Sequence, residues 1–293
     1  MDENLSGKTI VVTGATSGIG QALAEMLAQA GATVIGVGRS QERCAQSERK
    51  LRELANGNGA RADYCLADLS SLREVRGLAE QIRKKLAEQG KRSIDGLVNN
   101  AGTFTYWLTI TADGFEKQWA VNHLAPFLLT HELLPLLQAA PNGRVVTVSS
   151  GSHYNTRLRW EDIQLRRRYN GLLAYKQTKL ANVLFSAELN RRLGPASTVK
   201  AFAADPGLVK TEIGFKENPG LVRWIWDRRR SGGVSAQFSA QGILFLVGEP
   251  SIQDSAQVYW KDGRAKRPSK HALDPDVADR LWELSAQMCG IEA

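Results

Sequence analysis

Residues 9–20 read Thr9-Ile10-Val11-Val12-Thr13-Gly14-Ala15-Thr16-Ser17-Gly18-Ile19-Gly20, and Ala22, Leu23, Met26, Leu27 and Ala30 follow at helical spacing. A β-branched run favours a strand, glycines permit a tight turn, and the apolar positions give a helix its buried stripe. Strand, glycine turn and helix in that order make an anion site. Backbone N–H groups at the helix N-terminus can hold a pyrophosphate, and glycine lets the backbone come close to it. The spacing is T-G-x-x-x-G-x-G, with glycines at 14, 18 and 20, and differs from the G-x-G-x-x-G of the commonest dinucleotide fold. A glycine turn alone is weak evidence for a nucleotide, and its strand-to-helix setting strengthens it. Gly14, Thr16, Ser17, Gly18, Ile19 and Gly20 are the candidate phosphate-binding positions.

Outward from this turn the same alternation repeats. The pattern predicts strands over residues 33–37, 63–66, 94–98, 144–149 and 198–204, and a short one over 257–259. Between them it predicts helices over 41–54, 71–87 with Ser70 as cap, 112–137, 172–193 and 234–247. Strands alternating with helices imply a mostly parallel sheet covered on both faces, a doubly wound Rossmann-type α/β fold. The 293 residues contain no linker that interrupts the alternation, so one domain is expected over 1–293. The chain has no run of 18 apolar residues and begins Met1-Asp2-Glu3-Asn4, which is read as a soluble, cytoplasmic protein without a signal peptide. Cys44, Cys65 and Cys289 lack ligand spacing and read as reduced thiols, so no metal site is expected.

The formal net charge of +8 fits a nucleic acid, an anionic cofactor or a membrane surface. It is spread along the chain, with clusters only at Arg166-Arg167-Arg168 and Arg228-Arg229-Arg230, and no recognition helix or stacking pattern accompanies them. Nucleic acid is therefore not an expected partner. The end of the second strand bears on cofactor choice. An acidic residue there holds a ribose 2'-hydroxyl, whereas an arginine accommodates a 2'-phosphate. The chain has Gly38-Arg39-Ser40 at that place. No carboxylate opposes a phosphate and Arg39 offers a fork of donors, which predicts NADP(H) over NAD(H).

A second constellation lies in Ala174-Tyr175-Lys176-Gln177-Thr178-Lys179. On a helix, residues four apart share a face, so the Tyr175 phenol and the Lys179 ammonium are neighbours. A cation beside a phenol favours the phenolate and moves the group toward acid–base use near neutrality. The pair alone also reads as an exposed Tyr beside a solvated Lys.

Taken together, the motifs resemble those of the short-chain dehydrogenase/reductases. They stand in that family's order from Thr13 to about Tyr259: Thr13-Gly14-x-x-x-Gly18-x-Gly20, Asp68-Leu69, Asn99-Asn100-Ala101-Gly102, Asn122, Ser149-Ser150, Tyr175-x-x-x-Lys179 and Pro206-Gly207. The resemblance implies a catalytic group of Asn122, Ser150, Tyr175 and Lys179. Ser150 would donate to the reacting oxygen and Tyr175 would move the proton. Lys179 would lower the tyrosine's pKa and bind the nicotinamide ribose, and Asn122 would place a water. Ser149 would be a core or turn hydroxyl, and His123 is read as structural. The resemblance also implies cofactor contacts at Arg39, Ser40, Asp68, Leu69, Asn99, Ala101, Gly102, Tyr175, Lys179, Pro206, Gly207, Val209 and Thr211, with no role for Asp205.

The 25-residue interval from Ser150 to Tyr175 is longer than in compact family members, and the insertion of about 151–173 is expected to lie over the active site. Its length, Lys179-Leu180-Ala181-Asn182-Val183-Leu184-Phe185, Val121-Asn122-His123-Leu124 and Leu281-Trp282-Glu283-Leu284-Ser285 resemble the retinol dehydrogenase-like branch. The expected substrate is a small apolar aldehyde, ketone, alcohol or retinoid-like molecule. Phe104, Tyr106, Trp107 and the substrate-loop region of about 211–232, with Trp224 and Trp226, either line its pocket or pack an inserted helix. The same tryptophans beside Arg223 and Arg228 leave open a peripheral membrane contact. A catalytically weak NADP(H)-sensing regulator is the alternative function, and the chain is expected to be a monomer or homodimer.

Overall fold

A computed structural model describes residues 5–55, 59–208 and 234–292. Strand β1 (Thr9–Thr13) leads through the glycine turn into helix α1 (Gly18–Gln29), followed by β2 (Thr33–Gly38), α2 (Gln41–Leu54), β3 (Ala62–Leu66) and α3 (Leu72–Glu88). Then come β4 (Gly96–Asn99), the short α4 (Lys117–Trp119), a π-helical turn (Ala120–Leu124) and α5 (Ala125–Gln138). Strand β5 (Gly143–Val148), α6 (Gly171–Leu193) and β6 (Val199–Asp205) precede α7 (Ala236–Gly248), β7 (Tyr259–Lys261), β8 (Arg264–Ala265) and α8 (Pro275–Cys289). The sheet order is β3-β2-β1-β4-β5-β6-β7-β8, parallel except for β8. This is the doubly wound α/β architecture that the alternating pattern predicts.

Strand alternation sends side chains to opposite faces. Val11, Ile35, Leu97 and Val145 pack beneath α3, α5, α6 and α8. Ile10, Val12, Val34, Val98 and Phe202 pack against α1, α2 and α7 on the other face. Because both faces are covered, the strands read as continuous buried runs, for example all five residues of β1.

Several boundaries differ from the sequence expectation. The cap of α3 is Ser71, whose hydroxyl accepts the Glu74 N–H, and not Ser70. The helix expected over 112–137 begins only at Lys117. Gly114 takes a left-handed conformation (φ 81°), and Ile110 bridges antiparallel to Glu116. Asp113 is consumed elsewhere, accepting the Leu72 N–H at 2.7 Å. The strand after α7 is Tyr259–Lys261, two residues later than expected, and β8 extends it into a hairpin.

The insertion of about 151–173 brings Gly151, Ser152, Tyr154 and Leu172 to the groove at the sheet's open end. It runs beside α6: Leu158, Ile163 and Leu165 are buried, and Trp160 packs on the core beneath the Arg280 guanidinium, 4.2 Å from its ring centroid. Tyr169 closes its far end, sharing hydrogen bonds with Glu116 (2.8 Å), Gln118 (2.9 Å) and Thr105 (2.8 Å).

A close approach of backbones falls at the first turn of α1. A Cβ on Gly20 would be driven into the Gly14 carbonyl oxygen and the Asn100 side-chain amide. Gly20→Ala is therefore expected to destabilise the protein by roughly 1–3 kcal/mol, the usual range for overpacking, measured by urea denaturation.

Candidate active site

The carboxyl ends of the strands open on one groove of about 1410 Å³. That exceeds the roughly 300–1,000 Å³ of a pocket for one drug-sized ligand. The groove lies where the strand order reverses between β1 and β4, the place at which open α/β sheets bind ligands. Across that point the Thr13 hydroxyl accepts the N–H groups of Asn100 and Ala101, both at 3.0 Å, and the Asn100 side chain donates back to the Thr13 carbonyl at 2.8 Å.

Gly14 (φ 68°) and Gly18 (φ 56°) are left-handed, a conformation that glycine adopts without strain. Thr16, Ser17, Gly18 and Ile19 line the groove. Ser40, Ser71 and Asn170 cap α2, α3 and α6 with their side chains, but the Ser17 side chain caps no amide of α1. The first amides of α1 thus have no side-chain acceptor among the described residues, which fits a pyrophosphate held at a helix N-terminus.

Further along the same side, Arg39 is exposed and Ser40 uses its hydroxyl to cap α2. Arg43 joins Arg39 on the groove. Sequence reading missed Arg43, which stands in the first turn of α2. Asp68 and Leu69 also line this end, with Asp68 Oδ1 accepting the Ser70 N–H at 2.9 Å. The amides of α1, two guanidinium groups and the glycine-lined floor are a donor set that fits a phosphorylated dinucleotide.

At the other end β5 delivers Ser149 and Ser150. The Ser149 hydroxyl is buried and donates to the Lys179 carbonyl at 2.7 Å. Ser150 Oγ accepts the Ser152 N–H at 3.1 Å and hydrogen-bonds the Tyr175 phenol. The Ser152 amide and the Tyr175 phenol thus fix Oγ at the mouth of the groove. From α6, Lys179 is 3 % exposed and its Nζ donates to the Val148 carbonyl at 2.9 Å. It stands 5.4 Å from the Tyr175 ring centroid. Phe104 meets Tyr175 edge-on at 6.0 Å.

Burial decides the proton affinities here. It pushes the Tyr175 phenol up to about 12, with the Asp205 charge adding to the rise and the Ser150 hydrogen bond opposing it. It brings the Lys179 ammonium down to about 8. Sequence reasoning expected Lys179 to lower the tyrosine. In the folded protein burial raises it instead, because the charged form of each group loses water. Asp205, given no role from sequence, lines the groove and is 5 % exposed. It accepts from Tyr259 Oη at 2.7 Å and from the Gly207 N–H at 3.0 Å.

Gly14, Thr16, Ser17, Gly18, Ile19, Arg39, Ser40, Asp68, Leu69, Ala101, Gly102, Ser150, Tyr175, Lys179, Pro206 and Gly207 are thus brought to one groove. Three other candidates stand behind it. Gly20 serves helix packing. Asn99 is 2 % exposed and its side chain donates to Thr130 (3.0 Å) in the core, while the adjacent Asn100 lines the groove. Asn122 sits in the π-helical turn, a form frequent at functional sites. Its side chain accepts the Thr103 N–H at 2.7 Å and donates to the Thr103 carbonyl at 2.9 Å, so it fixes the turn after β4. Val209, Thr211 and the substrate-loop region of about 211–232 lie outside the described residues. His123 faces away from the groove toward α8, with Nε2 2.8 Å from Ser285 Oγ, and burial lowers its pKa to about 4. Among the described residues no cluster of metal-ligating side chains occurs, and no helix is long and apolar enough to cross a membrane.

Comparison with known proteins agrees with this geometry. Residues 8–221 match the short chain dehydrogenase family model. Retinol dehydrogenase 14 of Mus musculus is 36 % identical, with 98 % of this chain and 87 % of that one aligned. A crystal structure of an uncharacterized protein from Mycobacterium Paratuberculosis superposes with a TM-score of 0.76 at 34 % identity, over 99 % of this chain and 96 % of the other. A short chain dehydrogenase from Burkholderia cenocepacia, in complex with NADP, gives a TM-score of 0.67 at 25 % identity, over 87 % and 96 %. The chain belongs to the short-chain dehydrogenase/reductase family of oxidoreductases. Within that family it falls in the retinol dehydrogenase-like branch.

Lys179 has a consequence for stability. Its folded pKa of about 8 lies below the unfolded value near 10.4. The unfolded chain therefore binds the extra proton more readily between those values, and stability rises with pH across that window. Lys179→Met is expected to stabilise the ligand-free protein below pH ~8, by on the order of 2–3 kcal/mol at ~1.4 kcal/mol per pKa unit, a gain that fades to nothing by pH ~10.4. Urea melts of both proteins at several pH values measure it.

Proposed function

We propose that the protein is an NADP(H)-dependent oxidoreductase that moves a hydride between nicotinamide and the carbonyl or alcohol carbon of an apolar substrate. The observation that carries this reading is one groove with Ser150, Tyr175 and Lys179 at one end and Arg39 and Arg43 at the other. The cofactor, when bound, supplies or accepts the hydride. In the reducing direction a carbonyl oxygen gains negative charge, and it needs donors aimed at it and a proton source. Ser150, held by the Ser152 amide and hydrogen-bonded to Tyr175, would turn its hydroxyl to that oxygen when substrate is bound. Tyr175, pushed up to about 12, is protonated at neutral pH and is the proton donor. Lys179, one helical turn away and brought down to about 8, still holds a proton near neutrality and stabilises the phenolate left behind. Asn122 keeps the floor of the site in place through Thr103. In the oxidising direction the same groups act in reverse.

Arg39 and Arg43 support the choice of NADP(H), as does the NADP complex of the Burkholderia cenocepacia relative. An apolar substrate is supported by Phe104 against Tyr175, by the half-exposed Leu172 and Leu208 on the groove, and by the name of the retinol dehydrogenase relative. The buried free thiols Cys44, Cys65 and Cys289 support a reducing, cytoplasm-like compartment.

Oxidation of NADPH and NADH with a panel of apolar aldehydes and ketones tests the reading. NADPH turnover is expected to exceed NADH turnover, and Arg39→Asp to reverse that order. Tyr175→Phe is expected to lose roughly 10²–10⁴-fold in kcat while still binding NADPH, the usual range for an acid–base group. Equal use of NADH by the wild type overturns the cofactor assignment, and retained turnover by Tyr175→Phe overturns the chemistry.

A further inference from the structure

His153 is fully buried, and it lies three residues beyond Ser150 in the short 3-10 turn Gly151–His153. Its backbone N–H donates to the Ser150 carbonyl at 3.1 Å, and its ring Nδ1 stands 2.8 Å from the same oxygen. The other ring nitrogen, Nε2, accepts the backbone N–H of Ser269 at 3.1 Å. A backbone N–H can only donate, so Nε2 carries the lone pair and the neutral ring bears its proton on Nδ1. The Ser150 carbonyl therefore receives two donors from a single residue. That fixes the Ser150 peptide plane and, with it, the direction in which Cβ carries the hydroxyl.

The ring is itself held on both sides. Tyr259 meets it edge-on at 4.7 Å and Tyr154 lies against it at 4.2 Å. Tyr259 in turn donates to Asp205 at 2.7 Å, and Tyr154 Oη donates to the Arg267 carbonyl. Burial keeps the imidazole pKa below the ordinary histidine value, against the opposing pull of the Ser150 hydrogen bond and Asp205, while Lys266 adds to the lowering. Tyr259 and Ser269 both lie beyond residues 8–221, the part matched by the family model.

We propose that His153 is the positioning residue for Ser150, and that it fastens the reactive hydroxyl to the C-terminal segment 259–269. The proposal rests on the oxidoreductase reading above, in which Ser150 donates to the reacting oxygen. A misplacement of about 1 Å at such a group can cost on the order of 10²-fold in rate.

Three substitutions separate the two ring contacts. His153→Asn keeps an N–H where Nδ1 stands and does not reach Ser269. His153→Gln places an acceptor toward Ser269 and abandons Ser150, and His153→Leu abandons both. Steady-state kinetics, NADPH affinity and urea melts are compared with wild type and Tyr175→Phe. His153→Asn is expected to keep kcat within about threefold, whereas His153→Gln and His153→Leu lose ~10–100-fold in kcat with NADPH affinity unchanged. Wild-type kcat in His153→Leu, or equal losses in Asn and Leu, overturns the proposal. So does a loss in all three that simply follows their loss of folding stability. Retained turnover in Tyr175→Phe overturns the underlying reading instead. Independently of any variant, the ring ¹⁵N shifts of the wild type are expected to show the Nδ1–H tautomer, and an Nε2–H ring refutes the tie.

Discussion

The structure depends on one hydroxyl. Thr13 ends β1, and its Oγ accepts two backbone amides from the turn that follows β4. At this point the helices leaving the two strands go to opposite faces of the sheet, so this hydroxyl and the Asn100 side chain, which donates to the Thr13 carbonyl, tie the turns across the crevice. The glycines follow from that tie. Gly14 has to bend sharply with Ala101 close behind it, since a Cβ there would sit 3.1 Å from the Ala101 Cα. Gly20 has to be bare so that α1 can start directly over the Asn100 side chain. The groove is wide where these backbones are thin.

The reactive end is organised differently, by burial of groups that would prefer water. A phenol near 12 and an ammonium near 8 sit one helical turn apart. Neither has an opposite charge to compensate it: Lys179 has a carbonyl and an aromatic face, and the carboxylate near Tyr175, Asp205, raises its pKa. The buried ammonium reduces stability near neutral pH, a trade-off common at active sites, while the phenol keeps its proton. Ordinary packing supports it from behind, through the aromatic contacts of Phe127, Phe185 and Trp282 between α5, α6 and α8.

Much of this was legible in the chain. The β-branched run with its glycine turn, and the strand–helix alternation after it, carried the fold because period and turn chemistry are local properties. The i, i+4 pair of Tyr175 and Lys179 was legible for the same reason. The errors were three-dimensional. Residues 112–114 look helical until Asp113 is seen to cap α3, 41 residues earlier in sequence. Asn99 and Asn100 are indistinguishable by type, and the pleat alone decides which one turns into the core. Within the insertion, residue type alone does not tell that Tyr154 lines the groove while Trp160 packs on the core beneath an arginine. The acid–base balance of Tyr175 could not be read at all, since desolvation depends on neighbours from β5, β6 and the turn after β4.

The contact between His153 and Ser269 also has a consequence for the order in which the site is completed. Chains emerge from the ribosome amino end first, and folding units generally form in that order. Strands β1 to β6, with the glycine turn and α6, can be assembled before residues 259–269 exist. Strand β7 then joins the sheet beside β6, and only after it does the Ser269 amide reach the imidazole. We therefore expect a nascent chain to form the crevice between β1 and β4 first and to tie its reactive end to the C-terminal segment last.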